Sequence, residues 1–187
     1  APLGGLSSNA EVQRAFGDVS ALPARSPLEL YILSGIRTGK SLLAACAAFH
    51  MAVTSDVSHL RSGEIPRVSV VSLKKDLGEV VLNHLVGSIR SKPLLSQFLV
   101  GDPCGEGIVV RHPSGMPVEI SVVAGSRAGA SLVARWSAGV VFDEFPRMVG
   151  GEDGVVNFDD MRQAVLLRLL KGSQLWGIGS PWAPFGP

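Results

Sequence analysis

The sequence predicts an α/β domain: a mostly parallel central sheet flanked by helices, with an antiparallel hairpin attached. Apolar and β-branched runs alternate along the chain with segments of helical spacing, which is the order that builds parallel sheets. Two of the runs, Leu30–Leu33 and Ala138–Phe142, are apolar almost throughout, as strands covered on both faces are. A further pair, Gly107–Arg111 and Val118–Ala124, is joined by a short turn containing Pro113-Ser114-Gly115 and reads as the hairpin.

The elements follow in order. A Gly-, Ser-, Ala- and Pro-rich start contains one short helical stretch, Ala10–Phe16. The strand Leu30–Leu33 leads through a tight turn, Gly35–Lys40, into an Ala- and Leu-rich helix that begins at Ser41 and runs to about Thr54. After a polar connection, the alternating β-branched run Val68–Leu73 is the second strand. Leu77, Val80, Val81, Leu85 and Ile89 then recur at helical spacing over Asp76–Ile89. The hairpin comes next, followed by the strand that ends in Asp143-Glu144 and a loop through Gly150-Gly151. A helix over Phe158–Leu170 and a last strand, Gln174–Ile178, complete a single domain across residues 1–187, with no internal repeat or long linker.

Residues Leu33–Ser41, LSGIRTGKS, carry the clearest chemistry. A phosphate-binding loop needs glycines so that successive backbone N–H groups can face the anion, a lysine to reach the terminal phosphates, and a Ser or Thr hydroxyl for Mg²⁺. Gly39, Lys40 and Ser41 supply these in order, and the start of the helix adds its partial positive charge. The usual pattern sets a glycine five positions before the glycine of the Gly-Lys pair, with four residues between them. Here Ser34 holds that place, Gly35 follows it, and Arg37 lies inside the loop. The nucleotide-binding stretch is therefore Ser34, Gly35, Ile36, Arg37, Thr38, Gly39, Lys40, Ser41 and Leu42, with ATP and Mg²⁺ as the expected ligands.

Asp143 and Glu144 are the second signal. A buried strand ending in two carboxylates delivers them to the C-terminal edge of a parallel sheet, where open α/β folds bind ligands. Asp143 then holds Mg²⁺ with Ser41, and Glu144 orients and deprotonates the water that attacks the γ-phosphate. An isolated Asp-Glu pair would read better as caps of the turn before Pro146. The loop upstream reverses that preference. Gly177-Ile178-Gly179-Ser180-Pro181, at the end of the last strand, is a small-residue turn with little content alone.

Composition narrows the class. At 187 residues and 46% hydrophobic content the chain can bury a sizeable core, and a formal net charge of +1 gives it no bulk polyanion-binding character. Cys46 and Cys104 have no metal-ligand spacing and read as free thiols in a reducing compartment. His50, His59, His84 and His112 are scattered without ligand spacing. The longest apolar stretch, Leu42–Val53, is about half of a bilayer span and is broken by His50, so no membrane association is expected.

Taken in order, the Gly-Lys-Ser loop with its internal arginine, the strand ending in Asp-Glu and the Ser-Pro turn after the following strand resemble the motor domain of the large terminase subunits of tailed double-stranded DNA bacteriophages, over roughly Leu30 to Pro184. The resemblance implies an additional-strand, RecA-like P-loop ATPase in which the strand bearing Ser180 lies between the loop strand and the Asp-Glu strand. It implies that Gly179 and Ser180 form a coupling motif beside the γ-phosphate. It also implies Mg²⁺-dependent ATP hydrolysis that drives double-stranded DNA into the capsid, at the portal vertex of the procapsid in the host cytoplasm. The implied partners are the portal protein, the small terminase subunit and further copies in a homo-oligomeric, pentameric ring, with the isolated domain monomeric. A superfamily 2 helicase-like ATPase, a small-molecule P-loop kinase and a module that binds ATP without turnover are the alternatives.

The chain departs from the family at three places. Gln13 is the one glutamine upstream of the loop and the weak candidate for adenine reading. Glu144-Phe145-Pro146-Arg147 stands where many relatives have an acidic residue and alanine. No nuclease segment follows the coupling turn, so DNA cleavage is not expected of this chain. Lys40, Glu144 and Arg37 are the expected catalytic residues, because phosphoryl transfer spreads negative charge over the γ-phosphate oxygens and a guanidinium in cis or in trans stabilises it. Arg127 and Arg135, on the connection before the Asp-Glu strand, are the candidates to act in trans, against an equally weighted reading as solvated loop arginines. Lys74-Lys75 and Arg90 with Lys92 are small basic clusters of the kind usually found on solvated surface.

Overall fold

The computed structural model describes residues 10, 13–14, 27–103, 107–125, 128–150 and 157–181. Six strands form one sheet: β1 (Glu29–Leu33), β2 (Arg67–Ser72), β3 (Gly107–Arg111), β4 (Pro117–Ala124), β5 (Ser137–Asp143) and β6 (Leu175–Gly179). Their order is β1-β6-β5-β2-β4-β3, with every neighbouring pair parallel except the β3–β4 hairpin. The strand ending before Ser180 thus lies between the loop strand and the Asp-Glu strand, as the family resemblance implies.

Helices α1 (Lys40–Thr54) and α2 (Lys75–Arg90) cover one face, and α5 (Phe158–Leu166) covers the other beside β5. β5 shows why a strand between two layers has no polar alternation: every residue from Ser137 to Asp143 is buried. Val141 joins Val68, Val70, Ile120 and Ile178 in the core under α1 and α2. Val140 and Phe142 point the other way, to Phe158, Met161 and Val165 of α5. Phe142 is fully buried and meets Phe158 edge-on at 5.1 Å, a burial that stabilises the fold by about 2–3 kcal/mol.

The alanines of α1 set how closely it lies on the sheet. Ala44, Ala45, Ala47, Ala48 and Ala52 are all buried, and Met51 presses so tightly on β5 that a Cβ at Gly139 would overlap its sulfur. Small side chains on both partners therefore bring the start of α1, and with it the loop, down onto the sheet edge.

β1, expected to be covered on both faces, is instead an edge strand of the sheet with Tyr31 and Leu33 exposed. Several boundaries also differ from the sequence reading. Two short helices, α3 (Pro93–Ser96) and α4 (Ala128–Val133), lie in stretches that carry no helical period. The helix expected over Phe158–Leu170 stops at Leu166. Beyond it Leu169 bridges to Ser137, and Leu170 N–H donates to Ser137 O at 2.9 Å, so strand pairing with the start of β5 replaces the last helical turn. Of the expected Ala10–Phe16 helix, only Ala10, Gln13 and Arg14 fall among the described residues, all helical. No helix among the described residues is long and apolar enough to cross a membrane.

Candidate active site

The parallel arrangement of β1, β6 and β5 brings three chain segments to one edge. Leu33 is in register with Gly179, and Asp143 with Ile178, so the residues that follow them, Ser34, Ser180 and Glu144, emerge side by side. Backbone bonds tie them together: Ser34 N–H donates to Gly179 O at 3.0 Å and Glu144 N–H to Ile178 O at 2.7 Å.

The loop is closed by its own side chains. Ser34 Oγ lies 2.7 Å from Thr38 Oγ1, which donates to Gly35 O at 2.9 Å. Lys40 Nζ donates to the carbonyls of Gly35 at 2.6 Å and Ser34 at 3.3 Å, so its ammonium group folds back over the loop. Gly39 is the cap of α1 in a left-handed conformation, φ 85°, which a side chain would strain, whereas Gly35 has room for a Cβ. Of the two glycines, Gly39 is thus the one that the backbone requires. Ser34, in the place of the usual glycine, compensates by pinning Thr38. Arg37 also takes a left-handed φ, 61°, at a cost of about 1 kcal/mol, and its side chain is exposed. Ile36 is 83% exposed and Leu42 47%, while Ser41 is half-buried at the first turn of α1.

Asp143 is 9% exposed and lies in the field of both Glu144 and Lys40. Burial raises its pKa from 3.8 to about 6, the neighbouring Glu144 raises it further within that total, and the Lys40 ammonium opposes both. A buried carboxylate that is costly to ionise alone suits a divalent cation, whose charge would hold it ionised. Among the described residues no cluster of three His, Cys, Asp or Glu side chains could bind a metal. The remaining donors, Asp143 and the Ser41 hydroxyl, fit Mg²⁺ in the manner of a site completed by phosphate oxygens and water.

Glu144 has a left-handed backbone, φ 59° and ψ 41°, at the start of a 3₁₀ turn, Phe145–Arg147. Ser180 N–H donates to Glu144 Oε2 at 3.1 Å and Ser180 Oγ to Oε1 at 3.2 Å. Arg147 Nε is 3.9 Å from Oε2. The glycines before Ser180 have packing reasons that the sequence alone does not show. A Cβ at Gly177 would fall 2.7 Å from Tyr31 Cδ1 and 3.0 Å from Phe145 Cδ1, and one at Gly179 would overlap the ring of Pro146. The end of β6 and the turn carrying Glu144 are therefore interlocked.

The structure brings Lys40, Asp143, Glu144, Gly179 and Ser180 together, with Ser41 on the same loop–helix junction. It does not bring Arg135 there. Arg135 precedes β5, at the opposite end of the strands, where it and Arg67 both pair with Glu119, at 3.1 Å for Arg67 Nη2. Arg127 lies outside the described residues. Arg147, to which the sequence reading assigns no role, is the basic side chain beside Glu144, and its position three residues on across the turn was the available signal.

No family model and no curated protein matches the sequence. Solved structures do. The large terminase of a thermophilic bacteriophage superposes with a TM-score of 0.62 at 14% identity, covering 88% of this chain and 37% of that one. That same terminase has also been solved in complex with ADP. The ATPase domain of the large terminase of Thermus phage P74-26 gives 0.58 at 16% identity, over 87% of this chain and 63% of that one. The HK97 bacteriophage large terminase gives 0.55 at 15%, over 82% and 29%. This chain spans less than two thirds of each of these proteins. The sheet order, the helices on both faces and these superpositions together give this chain the RecA-like fold of phage large-terminase ATPase domains.

Proposed function

We propose that this domain binds and hydrolyses ATP with Mg²⁺ and is the motor of a phage large terminase, driving double-stranded DNA into the capsid. The observation that carries the proposal is the convergence of the Lys40 loop, the Asp143-Glu144 strand end and Ser180 at one sheet edge, through a strand order that inserts β6 between β1 and β5. A fold shared with large-terminase ATPase domains supports it, as does the ADP complex of one of those terminases.

Each residue then has a physical task. Nucleotide arrival draws Lys40 Nζ off the Ser34 and Gly35 carbonyls to the β- and γ-phosphates, where its charge is better matched. The Ser34–Leu42 stretch wraps the phosphates with backbone N–H groups. Asp143 and Ser41 would hold Mg²⁺, which supplies charge neutralisation at the phosphate oxygens. Glu144 takes a proton from water as the water oxygen bonds to the γ-phosphorus and the bond to the bridging oxygen breaks, leaving ADP and phosphate. Arg37 stabilises the charge that develops on the γ-phosphate in cis. Arg135 or Arg127 would serve a neighbouring copy in trans, which for Arg135 requires release from Glu119. In the virus the domain would act at the portal vertex of the procapsid in the host cytoplasm, in a pentameric ring with the portal protein and small terminase subunit. A few contacts per copy repeated around such a ring hold DNA without a strongly basic surface.

Steady-state phosphate release, with and without duplex DNA, tests the proposal. Wild-type protein releases phosphate, duplex DNA raises the rate, and Lys40→Ala abolishes turnover while leaving the circular-dichroism spectrum unchanged. Equal rates in wild type and Lys40→Ala would refute it.

A further inference from the structure

We infer that Arg147 is a ligand of the γ-phosphate: its guanidinium, set beside Glu144 here, passes to the γ-phosphate when ATP fills the loop and adds a second arginine in cis. The inference rests on the ATP reading above and names one more residue of that site.

The place of Arg147 is fixed by the chain on both sides of it. Pro146 lies in the 3₁₀ turn Phe145–Arg147, where its locked φ suits the backbone. Arg147 N–H donates to Glu144 O at 3.0 Å, Met148 N–H to Phe145 O at 2.9 Å, and Phe158 N–H to Met148 O at 2.8 Å. Phe145 and Met148 are both buried, and the Phe145 ring lies 5.2 Å from that of Phe158 and 5.4 Å from that of Tyr31. Arg147 stands between these two anchors with its side chain 43% exposed. The turn therefore holds its Cα in place and leaves the long side chain room to swing.

Strand order puts this turn across from the loop. β1 and β5 flank β6, so the Ser34–Leu42 loop and the Glu144–Arg147 turn leave the sheet about 10 Å apart, with space for a phosphate between them. A base that acts through one water stands about 6 Å from the γ-phosphorus, because carboxylate to water and water to phosphorus are each about 3 Å. Arg147 Nε is 3.9 Å from Glu144 Oε2, so the guanidinium and the γ-phosphate are neighbours of one carboxylate. Strengths decide which partner the guanidinium takes. An exposed pair at 3.9 Å is too long for a hydrogen bond and contributes little, whereas a phosphate offers the planar fork two oxygens and more negative charge. Transfer is favoured when a γ-phosphate is present and has no target when the nucleotide is ADP.

Titration calorimetry with ADP and with the non-hydrolysable β,γ-imido analogue of ATP, both with Mg²⁺, tests this. Arg147→Gln should leave the Kd for ADP unchanged and weaken the analogue about 10-fold or more, and Arg147→Lys should recover part of that loss. An equal loss for both nucleotides, or no loss for either, would overturn the inference. The same comparison in a Glu144→Gln background separates direct contact from an effect passed through the carboxylate. Arg147→Gln should still cost the analogue about 10-fold there, because the phosphate contact does not need Glu144. A loss that vanished in that background would make Arg147 a partner of Glu144 alone and would likewise overturn the inference. In phosphate release, Arg147→Gln should lower kcat about 10²-fold. A wild-type protein that showed the binding pattern without turning over ATP would sink the hydrolysis reading and leave this contact standing. One that bound neither nucleotide would remove both.

Discussion

Replacing Asp143 by asparagine should make the protein more stable and less functional, by an amount that pH controls. The Asp143 carboxyl titrates near 3.8 in the unfolded chain and at about 6 in the native one, chiefly because it is buried and also because Glu144 lies beside it. The native state therefore holds this proton more tightly. Stability is fully present below pH 3.8, is withdrawn as pH rises from there through about 6, and stays lower above. The difference between the two values corresponds to about 3 kcal/mol of native-state cost at pH 8. At pH 4 the same relation leaves under about 1 kcal/mol. Asparagine has the same shape and no charge to desolvate, so Asp143→Asn should gain up to about 3 kcal/mol at pH 8, or about 6–12 °C in Tm for a domain of this size. The gain should nearly vanish at pH 4. Urea denaturation of both proteins at the two pH values, without nucleotide or Mg²⁺, measures it. No gain at pH 8, or an equal gain at both, would refute the assignment of Asp143 as a buried carboxylate held at a cost for function.

Three other outcomes follow from the same geometry. Glu144→Gln retains ATP and Mg²⁺ binding in an equilibrium assay while slowing turnover by about 10² or more, whereas Asp143→Ala weakens the Mg²⁺ dependence of binding itself; equal losses of affinity would contradict the division of labour. Gly179→Ala places a methyl group against Pro146 and destabilises the domain by about 1–3 kcal/mol in urea denaturation, while Gly35→Ala, whose Cβ would meet only Thr38 Cγ2 at an ordinary 3.8 Å, costs under about 1 kcal/mol. Turnover per molecule of the isolated domain rises with protein concentration as copies meet, read by phosphate release beside size-exclusion chromatography; a monomer at constant full rate would leave no task for Arg135 in trans.

Much of this architecture was legible in the sequence because it is written in local patterns. The Gly39-Lys40-Ser41 triplet marks a strand-to-helix turn through backbone conformation and charge, both properties of neighbouring residues. The apolar run before Asp143 announces a strand buried on both faces for the same reason. Features that depend on distant segments were less legible. Leu169 leaves its helix for a strand that begins at Ser137, and no period within Phe158–Leu170 records that competition. Arg135 is as basic and as near the Asp-Glu strand in sequence as a functional arginine would be, yet Glu119 and the direction of β5 take it to the far end of the sheet.

The sequence by itself determined the order and the chemistry of the parts: a loop for phosphates, a lysine, two adjacent carboxylates and a small-residue turn. Only the tertiary structure decided what those parts are to one another. Strand order sets β6 between β1 and β5, and from that one choice Ser180 reaches Glu144, Gly179 meets Pro146, and Asp143 is buried deeply enough to raise its pKa to about 6. Strand neighbours far apart in the chain are selected by how two helical layers and a six-stranded sheet bury their apolar faces together, a cooperative choice that no short window of residues contains.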